Sequence, residues 1–186
     1  MVDRFRHLGR AVGTACALVL VASSGVAGAA SRTPLPARDT VNPMFRPILA
    51  DLKGLLITVL LPTYVPHQHD AGVHLSAAVD DRSQWGYLVD IGYTPQCSGA
   101  DACRLGSVTG GAEIDTPTIF DYPRAHHVRL HNGKQALYFP FTCGASCGDS
   151  VLAFQVDGIV YTVSVKGGSL QEVLAMANSV TAAGTP

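Results

Sequence analysis

Val151-Leu152-Ala153-Phe154-Gln155-Val156-Asp157-Gly158-Ile159-Val160-Tyr161-Thr162-Val163-Ser164-Val165 reads as two antiparallel strands closed by a two-residue turn. Ile159, Tyr161, Val163 and Val165 alternate along the second arm, the period-2 pattern of a sheet with one buried face. Asp157-Gly158 suits the turn because both residues tolerate the positive φ angles that a primed turn requires. Just downstream, Ser169-Leu170-Gln171-Glu172 has the form of a capping box, in which the Ser hydroxyl and the Glu carboxylate satisfy each other's orphan backbone N–H groups. Leu170, Val173, Leu174, Ala177 and Val180 then recur as one apolar helical stripe. A hairpin followed by an amphipathic helix predicts a helix lying across a sheet.

The same patterns extend upstream. Tyr87, Val89, Ile91 and Tyr93 alternate, as do Gln135, Leu137, Phe139 and Phe141. Asn132-Gly133 marks a second hairpin, joining Val128–His131 to Lys134–Phe141. Phe45, Ile48, Leu49 and Leu52 fall at helical spacing before Gly54, with Pro47 tolerated in a first turn. The apolar run Leu55–Leu61, broken by Pro62 and Pro66, suits a buried strand, and His67–Gly72 suits a turn. The fold expected is α+β: an antiparallel sheet of about six to eight strands, with a short N-terminal helix and a C-terminal amphipathic helix packed on it.

Residues 1–30 carry the three-part order of a secretory signal. Arg4, Arg6 and Arg10 precede an apolar run from Ala11 to about Val26, and Ala27-Gly28-Ala29-Ala30 supplies small residues for cleavage. The run is shorter than the ~20 residues of a spanning helix, so no transmembrane anchor is expected after cleavage. Residues 31–42 read as a linker, 43–182 as a single domain and 183–186 as a tail. Cleavage removes three Arg and one Asp from a chain with 13 basic and 14 acidic residues, leaving a net charge of −3. A mildly acidic chain without a basic stripe argues against nucleic acid as a partner.

Cleavage also removes Cys16 and leaves Cys97, Cys103, Cys143 and Cys147, an even number in a chain bound for an oxidising compartment. Three pairings are possible. The local pairs Cys97–Cys103 and Cys143–Cys147 are favoured, each enclosing a short loop rich in Gly, Ala and Ser. Loops so short each remove unfolded-state entropy worth only about 2 kcal/mol.

Thr142-Cys143-Gly144-Ala145-Ser146-Cys147 resembles, over about ten residues, the copper motif of the thioredoxin-like Sco copper chaperones. That resemblance implies Cu(I) held by two thiolates, or a redox-active disulfide. The context departs from it, because a hairpin rather than a helix follows the motif. Copper or zinc is then a question of whether Cys143 and Cys147 meet His126, His127 and His131; His67, His69 and His74 form a separate group. On a strand, His127 and His131 would share the solvent side with Arg129.

Catalysis finds no such support. The paired carboxylates Asp80/Asp81 sit in a turn-like, exposed context, where acid–base work lacks the desolvation it needs. Gly106–Gly111 is no dinucleotide fingerprint, because it leads into no helix. The loop Ser98, Gly99, Ala100, Asp101 and Ala102, closed by Cys97 and Cys103, is a candidate partner-binding loop, since a pre-ordered loop loses little further entropy on binding. Its architecture is similar to that of periplasmic inhibitors of host lysozymes.

Tyr87–Gly106, with Cys-Ser-Gly-Ala-x-Ala-Cys, resembles a pattern of uncharacterised exported bacterial proteins. Asp157-Gly158-x-x-Tyr161 followed by the capped helix resembles the C-terminal hairpin and helix of extracytoplasmic domains of unknown function. These resemblances imply export and no particular activity. The expectation is a periplasmic or secreted binding or envelope-associated protein whose partner is another protein or a small ligand. The rival expectations are a copper- or zinc-handling protein and an inhibitor presenting residues 98–102.

Overall fold

The Val151–Val165 hairpin lies inside the sheet, flanked by strands on both sides. A computed structural model describes residues 41–97, 102–111 and 125–182, with residues 181 and 182 described by backbone alone. The expected signal (1–30), the linker up to residue 40, loop residues 98–101 and the tail (183–186) lie outside the described residues. A 3-10 helix, Pro43–Ile48, comes first. The strands are β1 (Leu60–Pro62), β2 (Ser76–Ser83), β3 (Gly86–Gly92), β4 (Arg104–Gly111), β5 (His126–Arg129), β6 (Gln135–Phe139), β7 (Asp149–Val156) and β8 (Ile159–Lys166). Helix α1 (Leu170–Asn178) and β9 (Val180–Ala182) follow.

Seven strands form one antiparallel sheet in the order β2-β3-β4-β8-β7-β6-β5, and β1 and β9 pair antiparallel in a second, two-stranded sheet. The large sheet is thus two meanders joined where β4 pairs with β8. Its register aligns Val79, Val89, Val108, Val163, Leu152, Tyr138 and His126 in one row across every strand. Parallel to it run Tyr87, Gly110, Tyr161, Phe154, Ala136 and Val128. Phe45, Ile48, Leu52, Ile57, Val59, Leu61 and Val65 join these rows in one core, together with Val173, Met176 and Ala177 of α1. Fully burying a side chain such as Phe45 contributes roughly 1.5–3 kcal/mol. The result is a mostly-sheet domain with a seven-stranded antiparallel sheet and a C-terminal helix.

The two hairpin turns differ. Asp157 (φ 51°) and Gly158 (φ 83°) are both left-handed, and Val156 pairs with Ile159, so this is the two-residue primed turn expected. At Asn132-Gly133 only Gly133 is left-handed (φ 81°). The Gly133 N–H donates to the Leu130 carbonyl and the Leu130 N–H to the Lys134 carbonyl, which is a longer turn closed by a glycine bulge.

Upstream of β2 the architecture departs from expectation. Residues 43–54 form no α-helix, because Pro47 has no N–H to donate and successive bonds run three residues back: Phe45 to Asn42, Leu49 to Arg46, Asp51 to Ile48. The run 55–61 becomes strand only at Leu60. Before that its backbone groups pair elsewhere: the Leu56 N–H with the Gln84 carbonyl, and the Thr58 carbonyl with the Tyr161 hydroxyl. Asp80 and Asp81 lie in strand β2, not a turn, with a bulge between Val79 and Asp81. Gly106–Gly111 is itself strand, within β4.

Candidate functional site

The β1–β9 ladder brings residues about 120 positions apart side by side, Leu60 opposite Ala182 and Pro62 opposite Val180. Ser179, the residue closing α1, locks this clasp. Its carbonyl accepts from the Thr63 N–H and hydroxyl (both 3.1 Å), and its hydroxyl accepts from the Tyr64 N–H (3.0 Å). The β5–β6 turn docks beside the helix end, where the His131 N–H donates to the Asn178 carboxamide oxygen at 2.7 Å.

Between these pieces lies a cavity of about 300 Å³. Leu60, Leu130, Phe154, Val156, Ala177 and Val180 provide its apolar walls, and His131, Asn132, Lys134 and Asn178 its polar lining. Leu60, Leu130, Phe154 and Ala177 are buried, whereas His131, Asn132 and Lys134 are exposed. An apolar hollow with a few convergent polar groups is the form small-molecule sites take, and about 300 Å³ is the lower end of their range.

A second, wider depression of about 510 Å³ lies by Asn42, Met44, Gln68, His69 and His74. Its polar groups bond one another. The Gln68 oxygen accepts from the Asn42 amide (2.6 Å) and the Val65 N–H (3.2 Å), and its nitrogen meets His69 Nε2 at 2.9 Å. His67, left-handed at φ 62°, places Nδ1 2.8 Å from Asp70 and Nε2 3.4 Å from Glu172. Glu172 in turn holds the capping box: its carboxylate takes the Ser169 N–H at 2.7 Å, and its own N–H donates to the Ser169 hydroxyl at 3.3 Å. The Ser169 N–H and the Ser169 hydroxyl, which donates to the same carboxylate at 2.8 Å, and then the charge of His67, lower the Glu172 pKa from its usual value.

Sequence reasoning missed a polar ladder on the opposite sheet face. Arg104 grips Asp149 with two bonds, 2.6 and 3.0 Å, and Ser164 donates to the same carboxylate at 2.8 Å. Ser164 also meets the Ser107 hydroxyl at 2.9 Å. The Asp149 carboxylate is thereby taken up in tying β4, β7 and β8 together. The signal for it is the polar alternation of Ser107 and Thr109, matched by Thr162 and Ser164.

The singled-out cysteines form two disulfides, Cys97–Cys103 and Cys143–Cys147, with Cα atoms 5.7 and 4.0 Å apart. Cys97 is buried, and Ala102 is exposed; Ser98, Gly99, Ala100 and Asp101 lie outside the described residues. Cys143 is exposed in a loop closed by the Gly148 N–H to the Thr142 carbonyl. With both sulfurs committed to the disulfide, neither is a thiolate in this state. His126 lies on the core side of edge strand β5, its ring 6.3 Å from that of Tyr138. His127, its neighbour on the strand, leaves the other face, and His131 falls in the turn rather than on the strand. Among the described residues no group of three or more His, Cys, Asp or Glu is spaced to hold a metal ion. The structure therefore does not gather these five residues, and of them only His131 lines the cavity.

No helix among the described residues is long and apolar enough to cross a membrane. No protein-family model matches the chain, and neither does any curated protein or solved structure.

Proposed function

We propose that this chain is an exported, non-catalytic binding protein that holds a small, largely apolar ligand in the cavity between the β5–β6 turn and the end of α1. The observation that carries this reading is the lining of that cavity: six apolar residues drawn from β1, β7, β9, α1 and the hairpin turn, with polar residues from that turn and the end of α1. Export is supported by the two local disulfides. It is supported too by the basic, apolar and then small-residue order of residues 1–30.

The test uses 1-octanol as a neutral probe, followed by ligand-observed NMR. At about 0.5 kcal/mol per heavy atom, a ligand of that size binds with a dissociation constant of roughly 1 mM. Val156→Trp, which fills the hollow from a half-buried position, is expected to weaken binding at least tenfold with the circular dichroism unchanged. Binding that survives this filling, or no binding by the native protein, sinks the reading.

A further inference from the structure

We infer that the ligand carries an anion, a carboxylate at the end of its apolar body, and that Lys134 receives it; this rests on the binding reading above. The argument begins with what the polar lining has left to offer. The Asn132 oxygen already accepts the Lys134 N–H at 3.0 Å, and the Asn178 oxygen accepts the His131 N–H at 2.7 Å. A backbone N–H can only donate, so both carboxamide oxygens are fixed by their partners. Each amide therefore has its NH2 group to present, which is a pure donor.

Lys134 adds a cation to these donors. Among the described residues no carboxylate pairs with its ammonium group. No Asp or Glu lines the cavity. The nearest acid along the chain, Asp157, stands one residue beyond Val156. Arg129, on the same hairpin, lays its guanidinium on the Gly133 carbonyl at 3.3 Å and adds a second positive charge to that turn. Two amide donors and an unpaired ammonium beside an apolar hollow match an acceptor-only head group on an apolar tail, because each donor gains a charge-assisted bond.

The competing role for Lys134 is structural. Helix α1 has no basic residue in its last turn, and a cation there complements the negative end of the helix. The helix end is otherwise well supplied with donors: the Ser179 N–H bonds the Ala175 and Met176 carbonyls, and the Ser179 hydroxyl donates to Met176 at 2.7 Å. The two roles predict different responses to Lys134→Gln.

The experiment compares octanoate with 1-octanol at pH 7 on the full chain, by calorimetry or ligand-observed NMR, alongside thermal melting. Octanoate is expected to bind about 10–100-fold more tightly than octanol, the contribution of a charged hydrogen bond. Lys134→Gln should erase that preference by lowering octanoate affinity about 10–100-fold, far more than it changes octanol affinity, with melting unchanged. Equal binding of the two probes by the native protein overturns the inference but leaves the cavity reading standing. A preference that persists in Lys134→Gln overturns it as well, and a lower melting temperature with the preference intact assigns Lys134 to the helix end. If neither probe binds, the inference and the binding reading fall together.

Discussion

The Tyr87 hydroxyl donates to the Leu60 carbonyl at 2.7 Å and accepts from the Leu60 N–H at 3.0 Å. One side chain from β3 thus satisfies both polar groups of a residue in the segment that crosses over the core. Two strands away on β8, Tyr161 repeats the device, donating to the Thr58 carbonyl at 2.8 Å. The pair explains how residues 58–60, which have no ladder pairing with the large sheet, are held against it, and β1 forms one wall of the cavity because of it.

Removing the first hydroxyl should be costly. Tyr87→Phe keeps the ring but leaves the Leu60 N–H and carbonyl without that partner in a buried site. The expected loss is about 1–3 kcal/mol of unfolding free energy, read from denaturant melts. Thr58 has an exposed side chain, so Tyr161→Phe should cost less. Equal losses would contradict this account of the two bonds.

Alkali should probe the same pair. Burial raises the Tyr161 pKa to about 12, with Asp157 adding to the effect, and burial pushes Tyr87 higher still. Both folded values exceed the unfolded value of 10.0. Their contribution to stability is therefore complete below pH 10 and is lost as the pH rises through the folded values. Tyrosinate absorbance of the native protein should stop short of full ionisation near pH 11 and rise to completion only with unfolding. A single early rise that includes every tyrosine would disprove it.

Between the two rings sits Gly110 on β4. A Cβ there would lie 2.7 Å from the Cε1 atoms of both Tyr87 and Tyr161. Neither ring can swing aside freely, since each hydroxyl is tied to the 58–60 segment. Gly110→Ala should therefore cost about 1–3 kcal/mol by overpacking, and the shift in melting temperature measures it. Pairing it with Tyr161→Phe should recover part of that loss, because the freed ring can move.

Much of this was legible and some was not, for reasons that particular residues make plain. Asp157-Gly158 and Ser169–Glu172 announce themselves because a turn and a cap are chemistry within four residues of chain. Strands β2 and β4 were hidden because Asp80, Asp81, Gly106 and Gly110 belong to types depleted in strands. They are strand because of their neighbours: Gly110 leaves the space that two tyrosine rings occupy. The cavity was illegible for a different reason. Its walls run from Leu60 to Val180, and only the β1–β9 pairing makes them meet.

The two disulfides should differ in what they hold. Cys97 is buried, whereas Cys143 is exposed, and both loops are short enough to contribute only about 2 kcal/mol through chain entropy. Replacing Cys143 and Cys147 together by Ala should lower stability by about that amount or less. Replacing Cys97 and Cys103 should cost more, since packing is lost as well. The same proteins test the copper or zinc expectation. Denatured but unreduced protein should show no thiol from these four residues, and any metal uptake by Cys143 and Cys147 should require prior reduction.

At the other end of the pH scale, stability should respond to Glu172. Its carboxyl is held below the usual 4.5 by the Ser169 N–H and hydroxyl, with His67 contributing further. A carboxylate with a depressed folded pKa contributes stability that is complete above the unfolded value and is lost as the pH falls through the folded one. The loss should therefore begin below about pH 4.5 and deepen with further acid. Ser169→Ala removes the hydroxyl that the Glu172 N–H bonds and one of the two donors to the carboxylate. It should cost about 1 kcal/mol at neutral pH, as an N-cap does. It should also flatten the acid limb, because part of what depressed the Glu172 pKa is gone. A variant that is destabilised by the same amount at pH 7 and at pH 3 would show that the cap acts through geometry alone.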